Sequence, residues 1–270
     1  MKDKPLVSIV TPSYNQGRFI EDTILSVKNQ DYPNIEHIIV DGGSTDNTLD
    51  ILKKYEGTYN MRWISRSDRG QADAVNRGFK MARGKIIGWL NSDDVFFTKD
   101  VVSFIVKRFE EFGDSADVIY GNSVVIDENK RILKFVQTVP WHSFSRLLRA
   151  NYIEQPSVFL RKKVVQKFKL DVNIDLPMDY EYWLRLSKNG VKFKYVNKIL
   201  SAERWHSAAK SIKRKEEMRK EVRKLRERYG QKFDFKYFLL KRLDNVLYTP
   251  LLIKWIAINL FISGRFLRFP

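Results

Sequence analysis

The sequence predicts an α/β fold with a mostly parallel central sheet and flanking helices, followed by a helical C-terminal tail that is basic and apolar. Three observations lead there. Strand-like and helix-like periods alternate from the N-terminus to about residue 120, the pattern of a layered βαβα chain. Polar clusters recur directly after four successive strand-like runs, where such sheets carry their ligand-binding edge. The 270 residues are 43% hydrophobic and 13% aromatic, enough for one substantial core and too apolar for a disordered chain.

Taken in order, residues 6–11 (LVSIVT), 35–41 (IEHIIVD), 62–65 (RWIS), 85–90 (KIIGWL) and 118–121 (VIYG) are short β-branched or aromatic runs that read as strands. Between them, residues 18–30, 45–55, 71–81 and 100–112 space their apolar side chains at helical period. Residues 123–135 (SVVIDENKRILKF) read as a β-hairpin turning at 127–130. A helix over 143–150, a short strand over 157–161 and a helix over 179–188 follow. There is no internal repeat and no low-complexity linker, so residues 1–204 are expected to form one domain and 205–270 a C-terminal appendage.

Charge marks the same boundary. Lys and Arg number 49 against 32 Asp and Glu, a net +17. Residues 205–270 hold 17 basic and 6 acidic residues, a surplus of +11, which leaves the body at +6. Such an excess calls for a polyanion or an anionic surface. In residues 212–229, Met218, Val222, Leu225 and Tyr229 share one helical face opposite Lys and Arg. Residues 246–263 (VLYTPLLIKWIAINLFIS) contain 13 apolar or aromatic residues in 18. As a helix they would reach only about 27 Å against a bilayer core of about 30 Å. Pro250, Lys254 and Asn259 interrupt them. A segment lying in a membrane interface, flanked by Lys241, Arg242, Arg265 and Arg268, fits better than a span. Packing against the body or against a second copy in a homo-oligomer is the alternative. Nucleic acid fits poorly, because the body lacks interleaved basic and aromatic residues. The absence of cysteine excludes a disulfide scaffold, a thiol nucleophile and a thiolate metal site. The opening MKDKPLVSIVTPSYN has an apolar run too short for a signal-peptide core, so a cytoplasmic location is expected.

The polar clusters are Thr11-Pro12-Ser13-Tyr14-Asn15, Asp41-Gly42-Gly43-Ser44-Thr45-Asp46, Asp68-Arg69-Gly70 and Asn91-Ser92-Asp93-Asp94. Each alone reads equally as a helix cap. Four in series make one polar rim. Adjacent carboxylates at Asp93 and Asp94 repel each other unless a cation or hydrogen-bond donors compensate. A Mg2+ or Mn2+ ion carrying a diphosphate would do so, and a polar turn is the plain alternative. A P-loop is excluded, since five residues separate Gly78 from Gly84 and Ile86 stands where Ser or Thr is needed. Neither GxGxxG nor GxSxG occurs, and His37, His142 and His206 are too dispersed for a zinc motif.

In order along the chain, residues 7–15 (VSIVTPSYN), 38–48 (IIVDGGSTDNT), 70–78 (GQADAVNRG), 88–94 (GWLNSDD), 155–159 (QPSVF) and 178–186 (MDYEYWLRL) resemble family 2 glycosyltransferases. The resemblance covers roughly three-quarters of the chain and is nearest to the subgroup that builds O-antigen, capsule and other surface polysaccharides. It implies a GT-A fold, with a nucleotide-binding α/β half merged into an acceptor-binding half. It places Asp41 against the nucleobase, Thr11, Pro12 and Tyr14 along the nucleotide, and Asp68 in the base pocket. Asn76 would be a further nucleotide-sugar contact. Asp94 would hold the Mg2+ or Mn2+ ion, with Asp93 near the ribose or sugar. The catalytic base falls on Asp179, although Met178 replaces the glutamate of the usual Glu-Asp pair. His206, with Lys210 or Arg204, would close over the diphosphate. The QxxRW motif of processive synthases is missing, because Ser201 and Glu203 do not supply its glutamine.

The resemblance therefore implies single-sugar, inverting, metal-dependent transfer. The donor would be a nucleotide-sugar, UDP-sugar by family habit, with dTDP and GDP open. The acceptor would be a saccharide or a polyprenyl-diphosphate-linked saccharide, met at the inner face of the cell membrane. A non-catalytic nucleotide-sugar binder and a basic nucleic-acid-binding protein are the alternatives. Retention of both Asp94 and Asp179 argues against the first.

Overall fold

β1 (Val7–Ser13) is buried along all seven residues, which is why it reads as a continuous β-branched run rather than an alternating one. The computed structural model describes residues 4–207 and 209–231. After β1 come α1 (Ile20–Lys28), β2 (Ile35–Asp41), α2 (Thr48–Tyr55), β3 (Met61–Ser65), α3 (Gln71–Met81) and β4 (Ile86–Trp89). A two-residue β5 (Val95–Phe96), α4 (Val101–Phe112) and the hairpin β6 (Val118–Ile126) and β7 (Ile132–Val136) follow. Then come α5 (Phe144–Arg149), β8 (Phe159–Arg161), α6 (Lys162–Lys167), α7 (Met178–Lys188), β9 (Phe193–Arg204), α8 (Lys210–Lys213) and α9 (Lys215–Arg228).

Among the described residues, nine strands form one sheet in the order β3-β2-β1-β4-β8-β6-β9-β5, with β7 on β6. The first four are parallel, so their C-terminal ends share one edge. Register aligns Ser13 with Asp41 and Asp41 with Ser65, putting three polar clusters in one row. Pairing turns antiparallel at β4–β8 and β8–β6, then parallel again at β6–β9. This is the expected α/β architecture with a reversal in its second half. α3 packs so closely on β1 that a Cβ on Gly78 would lie 2.2 Å from Val10 Cγ1, so only glycine fits.

Three elements were not anticipated: β5, α6 and the twelve-residue β9. β9 carries Lys194, Asn197 and Lys198 and lacks clean alternation, because it is flanked by β6 and β5 and buried unevenly along its length. The basic helix α9 lies against the body. Leu225 is buried in the main core cluster, and Val222 and Tyr229 pack on it. Tyr229 Oη donates to Glu181 Oε1 at 2.8 Å, and Arg226 Nε donates to Tyr180 Oη at 3.1 Å, gripping α7. Among the described residues, no helix is long and apolar enough to cross a membrane. The 246–263 segment lies outside the described residues. Leu225→Ala should destabilise the protein by about 2–4 kcal/mol, read as a lower urea midpoint at unchanged m-value; an unchanged midpoint would mean that α9 is not part of the folded unit.

Candidate functional site

A cavity of about 680 Å³ opens at the C-terminal edge of the parallel strands and is closed on the far side by α7 and β9. Pro12, Tyr14, Asp68, Asp93, Asp94 and Asp179, all expected in the site, line it. Residues from four polar clusters and from α7, 167 positions apart in the case of Pro12 and Asp179, thus meet around one volume.

On the strand-end side, local hydrogen bonds shape the wall. Asn15 takes a positive φ of 52°, a conformation Asn tolerates better than most residues. Its Oδ1 accepts from Thr45 N at 2.8 Å, and its own N–H donates to Ser44 Oγ at 2.7 Å. That clasp leaves Tyr14 60% exposed at the cavity mouth. Asp46 precedes Asn47, the N-cap of α2, and its carboxylate accepts from Thr48 N at 3.0 Å and from Gly17 N at 2.9 Å, tying the start of the helix to the first loop. Asp68 Oδ1 accepts from Gly70 N at 2.8 Å. Ser13 Oγ is buried, faces this wall and has no hydrogen-bond partner among the described residues.

Thr11, Asp41, Asn76 and His206 do not line this cavity. Thr11 is fully buried with its Oγ1 2.9 Å from His37 Nε2. Asp41 is also fully buried, and its Oδ2 accepts from Gly43 N, Ser44 N and Ser65 Oγ at 3.0, 2.8 and 2.6 Å. It braces the loop whose Gly42 forms the wall. Asn76 exchanges two 2.9 Å hydrogen bonds with the Leu170 backbone. His206 lies behind the acidic pair, with Nε2 3.1 Å from Asp93 Oδ2 and its ring 4.6 Å from that of Phe19.

Side chains within the quoted motifs, to which sequence alone assigns no role, hold the acidic turn. Trp89 Nε1 and Gln71 Nε2 both donate to Asn91 Oδ1, at 2.9 and 2.8 Å. Asn91 Nδ2 donates to Gln155 Oε1 at 2.7 Å, and Gln155 Nε2 donates to the Trp89 carbonyl at 2.7 Å. This lattice joins the GWLNSDD segment to QPSVF, so Gln155 is structural to the site rather than merely near it.

Electrostatically the cavity is acidic. Burial, with Asp93 and then Glu203 nearby, raises the Asp94 carboxyl well above its ordinary range. Burial pushes Asp179 up to about 6, although the Tyr180 and Asp179 amides at the start of α7 pull the other way. Glu203 is pushed to about 7 by burial and by Asp93 and Asp179. Glu154 reaches about 7 by burial and by Glu203 and Asp179. Lys134 offsets part of the repulsion on both. Glu154 and Glu203 also line the cavity and were not expected as site residues; a lone glutamate carries no sequence signal until folding gathers it with others. Across the mouth, Lys210 Nζ donates to Asp175 Oδ1 at 2.7 Å, and Arg214 binds the other oxygen of the same carboxylate. Arg204 also borders the cavity, with its side chain fully buried and its guanidinium paired with Asp22 at 2.9 Å.

Among the described residues, no three His, Asp or Glu side chains converge as a ready metal cage. Asp93 and Asp94 fit an ion of the Mg2+ or Mn2+ type, which needs one or two carboxylates and takes its other ligands from phosphates and water. The raised Asp94 carboxyl fits a cation there, because a nearby positive charge is what would let it ionise.

Comparison with known proteins bears on the whole arrangement. The family described as "Glycosyl transferase family 2" matches residues 8–167. A glycosyltransferase of Bacillus subtilis strain 168 assigned to teichuronic acid biosynthesis is 30% identical over 224 residues, 77% of this chain and 86% of that protein. A chondroitin synthase of Escherichia coli is 31% identical over 215 residues, but these are 79% of this chain and only 31% of the synthase. Among solved structures, TarS of S. aureus in complex with UDP-GlcNAc superposes with a TM-score of 0.64 at 20% identity, covering 76% of this chain and 60% of that one. A mannosyltransferase of Pyrobaculum calidifontis in complex with GDP-Man and Mn2+ gives a TM-score of 0.63 at 17% identity, covering 100% and 78%. The fold is GT-A.

The raised carboxyls carry a stability consequence whose sign is fixed. A group with a folded pKa above its unfolded value favours the native state at low pH, and that contribution is lost as pH rises through the folded value. For Glu203 the window runs from about 4.5 to about 7. Glu203→Gln should therefore raise Tm at pH 8 by ~2–4 °C and change it little at pH 5. Thermal melts at the two pH values test this, and an equal effect at both would show that the carboxyl is not held out of water.

Proposed function

The chain belongs to glycosyl transferase family 2, and on that premise we propose that it moves one sugar, with inversion, from a nucleotide-sugar to a hydroxyl of a saccharide acceptor in surface polysaccharide synthesis. The observation that carries the reading is the placement of Asp179, held near pKa 6, in the same cavity as the Asp93-Asp94 pair. Near neutral pH such a carboxyl is mostly ionised yet basic enough to take a proton, the balance wanted of a general base.

Asp179 accepts the proton of the acceptor hydroxyl as that oxygen attacks the anomeric carbon. Attack and departure in one line invert the centre, so an α-linked donor gives a β-linked product. At the other end, Asp93 and Asp94 would hold a Mg2+ or Mn2+ ion together with the donor diphosphate. When bound, that ion neutralises the charge that accumulates on the leaving nucleoside diphosphate. Tyr14 at the mouth offers its ring to the nucleobase, and Asp68 and the unpartnered Ser13 Oγ offer polar contacts beside it. Lys210, engaged with Asp175 across the cavity mouth, can exchange that carboxylate for phosphate oxygens. Asp41, Thr11 and Asn76 act from behind this wall by fixing the loops that form it.

UDP-sugar is the first donor to test, with dTDP- and GDP-sugars as comparison. The +11 surplus of residues 205–270 supports contact with an anionic membrane surface at the inner face, where a polyprenyl-diphosphate-linked acceptor is presented. A donor panel with and without Mn2+ tests the reading directly. Asp179→Asn should lower kcat by about 10²–10⁴-fold while nucleotide affinity stays within the range of the parent protein. The parent kcat/KM should fall on the acid side with a limb near 6, because protonation removes the base. Asp94→Ala should abolish the response of donor turnover to Mn2+. Sugar transfer intact in both variants would overturn the assignment.

A further inference from the structure

Arg204 closes β9 beside the acidic turn. Its strand is paired on one side with β6, Ile126 opposite Arg204, and on the other with β5, Val95 opposite Ala202. That register brings its backbone N–H to Asp94 Oδ1 at 3.0 Å. The side chain is 0% exposed. A guanidinium so withdrawn from water needs most of its donors answered, and the structure answers them. Nε donates to the Asp93 carbonyl at 3.0 Å. One terminal nitrogen donates to Asp22 Oδ2 at 2.9 Å, and the other to the Glu128 carbonyl at 3.2 Å. The guanidinium face lies 5.0 Å from the Phe19 ring centroid.

These contacts converge on one turn from three directions. Asp22 belongs to α1 and Phe19 is its N-cap residue; Thr23, next to Asp22 on that helix, donates its Oγ1 to the Asp94 carbonyl at 2.7 Å. Glu128 lies in the β6–β7 turn, and Lys130 of the same turn reaches Asp22 Oδ1 at 2.6 Å. A single residue therefore holds the Asp93 carbonyl with its side chain and the Asp94 carboxyl with its amide, while anchored to both neighbouring elements. Arg204 borders the cavity, yet each guanidinium nitrogen is engaged and the side chain is shut off from solvent, so a phosphate finds no exposed edge of this arginine in this arrangement.

We propose that Arg204 is a positioning residue: it sets the spacing and orientation of the Asp93 and Asp94 carboxyls and does not itself touch the donor. This deepens the reading of that pair as the diphosphate and metal end of the site and rests on it. Lysine cannot span the three directions of the guanidinium fork, so Arg204→Lys keeps a charge and loses the geometry. Asp22→Asn loosens the anchor and leaves Arg204 in place, and serves if the lysine variant folds poorly.

The test uses the full chain and two readouts. Amide hydrogen exchange over residues 91–96 should quicken by about tenfold in Arg204→Lys relative to strands β1 and β2, and by less in Asp22→Asn. Mn2+ affinity in the presence of UDP, titrated calorimetrically, should weaken by about 10–100-fold, with donor KM rising and the acid limb of the pH profile unmoved because Asp179 is untouched. Unchanged exchange over 91–96 in both variants overturns the proposal. Quickened exchange in variants of a parent chain that binds neither Mn2+ nor UDP supports the positioning role and overturns the donor reading instead.

Discussion

Burial of the Asp94, Glu154, Asp179 and Glu203 carboxyls around one cavity, with repulsion between neighbouring acids added to it, sets the terms for the rest of the structure. Carboxyls drawn together and partly out of water cost free energy unless each finds a donor or a cation. Elsewhere the same fold shows what a fully answered carboxyl looks like. Burial alone would raise Glu36, yet Ser8, Arg83 and Arg62 bond to it and hold it below its ordinary range. Around the cavity, no arginine or lysine pairs directly with Glu154, Asp179 or Glu203 among the interactions described, and their carboxyls rise. The contrast separates structural acids from acids kept ready for a proton, a cation or a substrate hydroxyl.

The architecture answers that strain from several elements at once. Parallel β1 to β4 bring three polar clusters into one row and the acidic turn close beside them. The reversal at β8 brings Gln155 under the turn and β9 alongside it, so that Asn91, Gln155 and Arg204 grip the backbone around Asp93 and Asp94. α7 then delivers Asp179 from the opposite wall, and α9 steadies α7 through Tyr229 and Arg226. Rigid backing and a polar, partly unsatisfied front are the general form of a site that must be organised before its ligand arrives.

Part of this was legible in the chain. Burial of the central strands on both faces makes them continuous apolar runs, and the residue after each run is exposed at a sheet edge, so the βαβα order and the polar rim could be read directly. Asp93-Asp94 stood out because adjacent acids are costly anywhere. β9 did not stand out: it is buried unevenly between β6 and β5, which erases the period that reveals a strand. Glu154 and Glu203 were silent because a single glutamate owes its importance to neighbours 24 to 49 positions away, such as Asp179 and each other.

By itself, then, the sequence determined the layer order, the family and the short list of acids, since these depend on local periodicity and on motifs a few residues long. Tertiary structure decided which of those residues face the cavity. Thr11, Asp41 and Asn76 lie at motif positions yet turn their polar atoms inward to partners on His37, Ser65 and Leu170. Arg204 looks like a phosphate ligand in the sequence and is a buried strut in the fold. The physical reason is the same in each case. A motif specifies which hydrogen-bonding groups are present, but only the packing of distant elements settles whether each group is satisfied within the protein or left for a ligand.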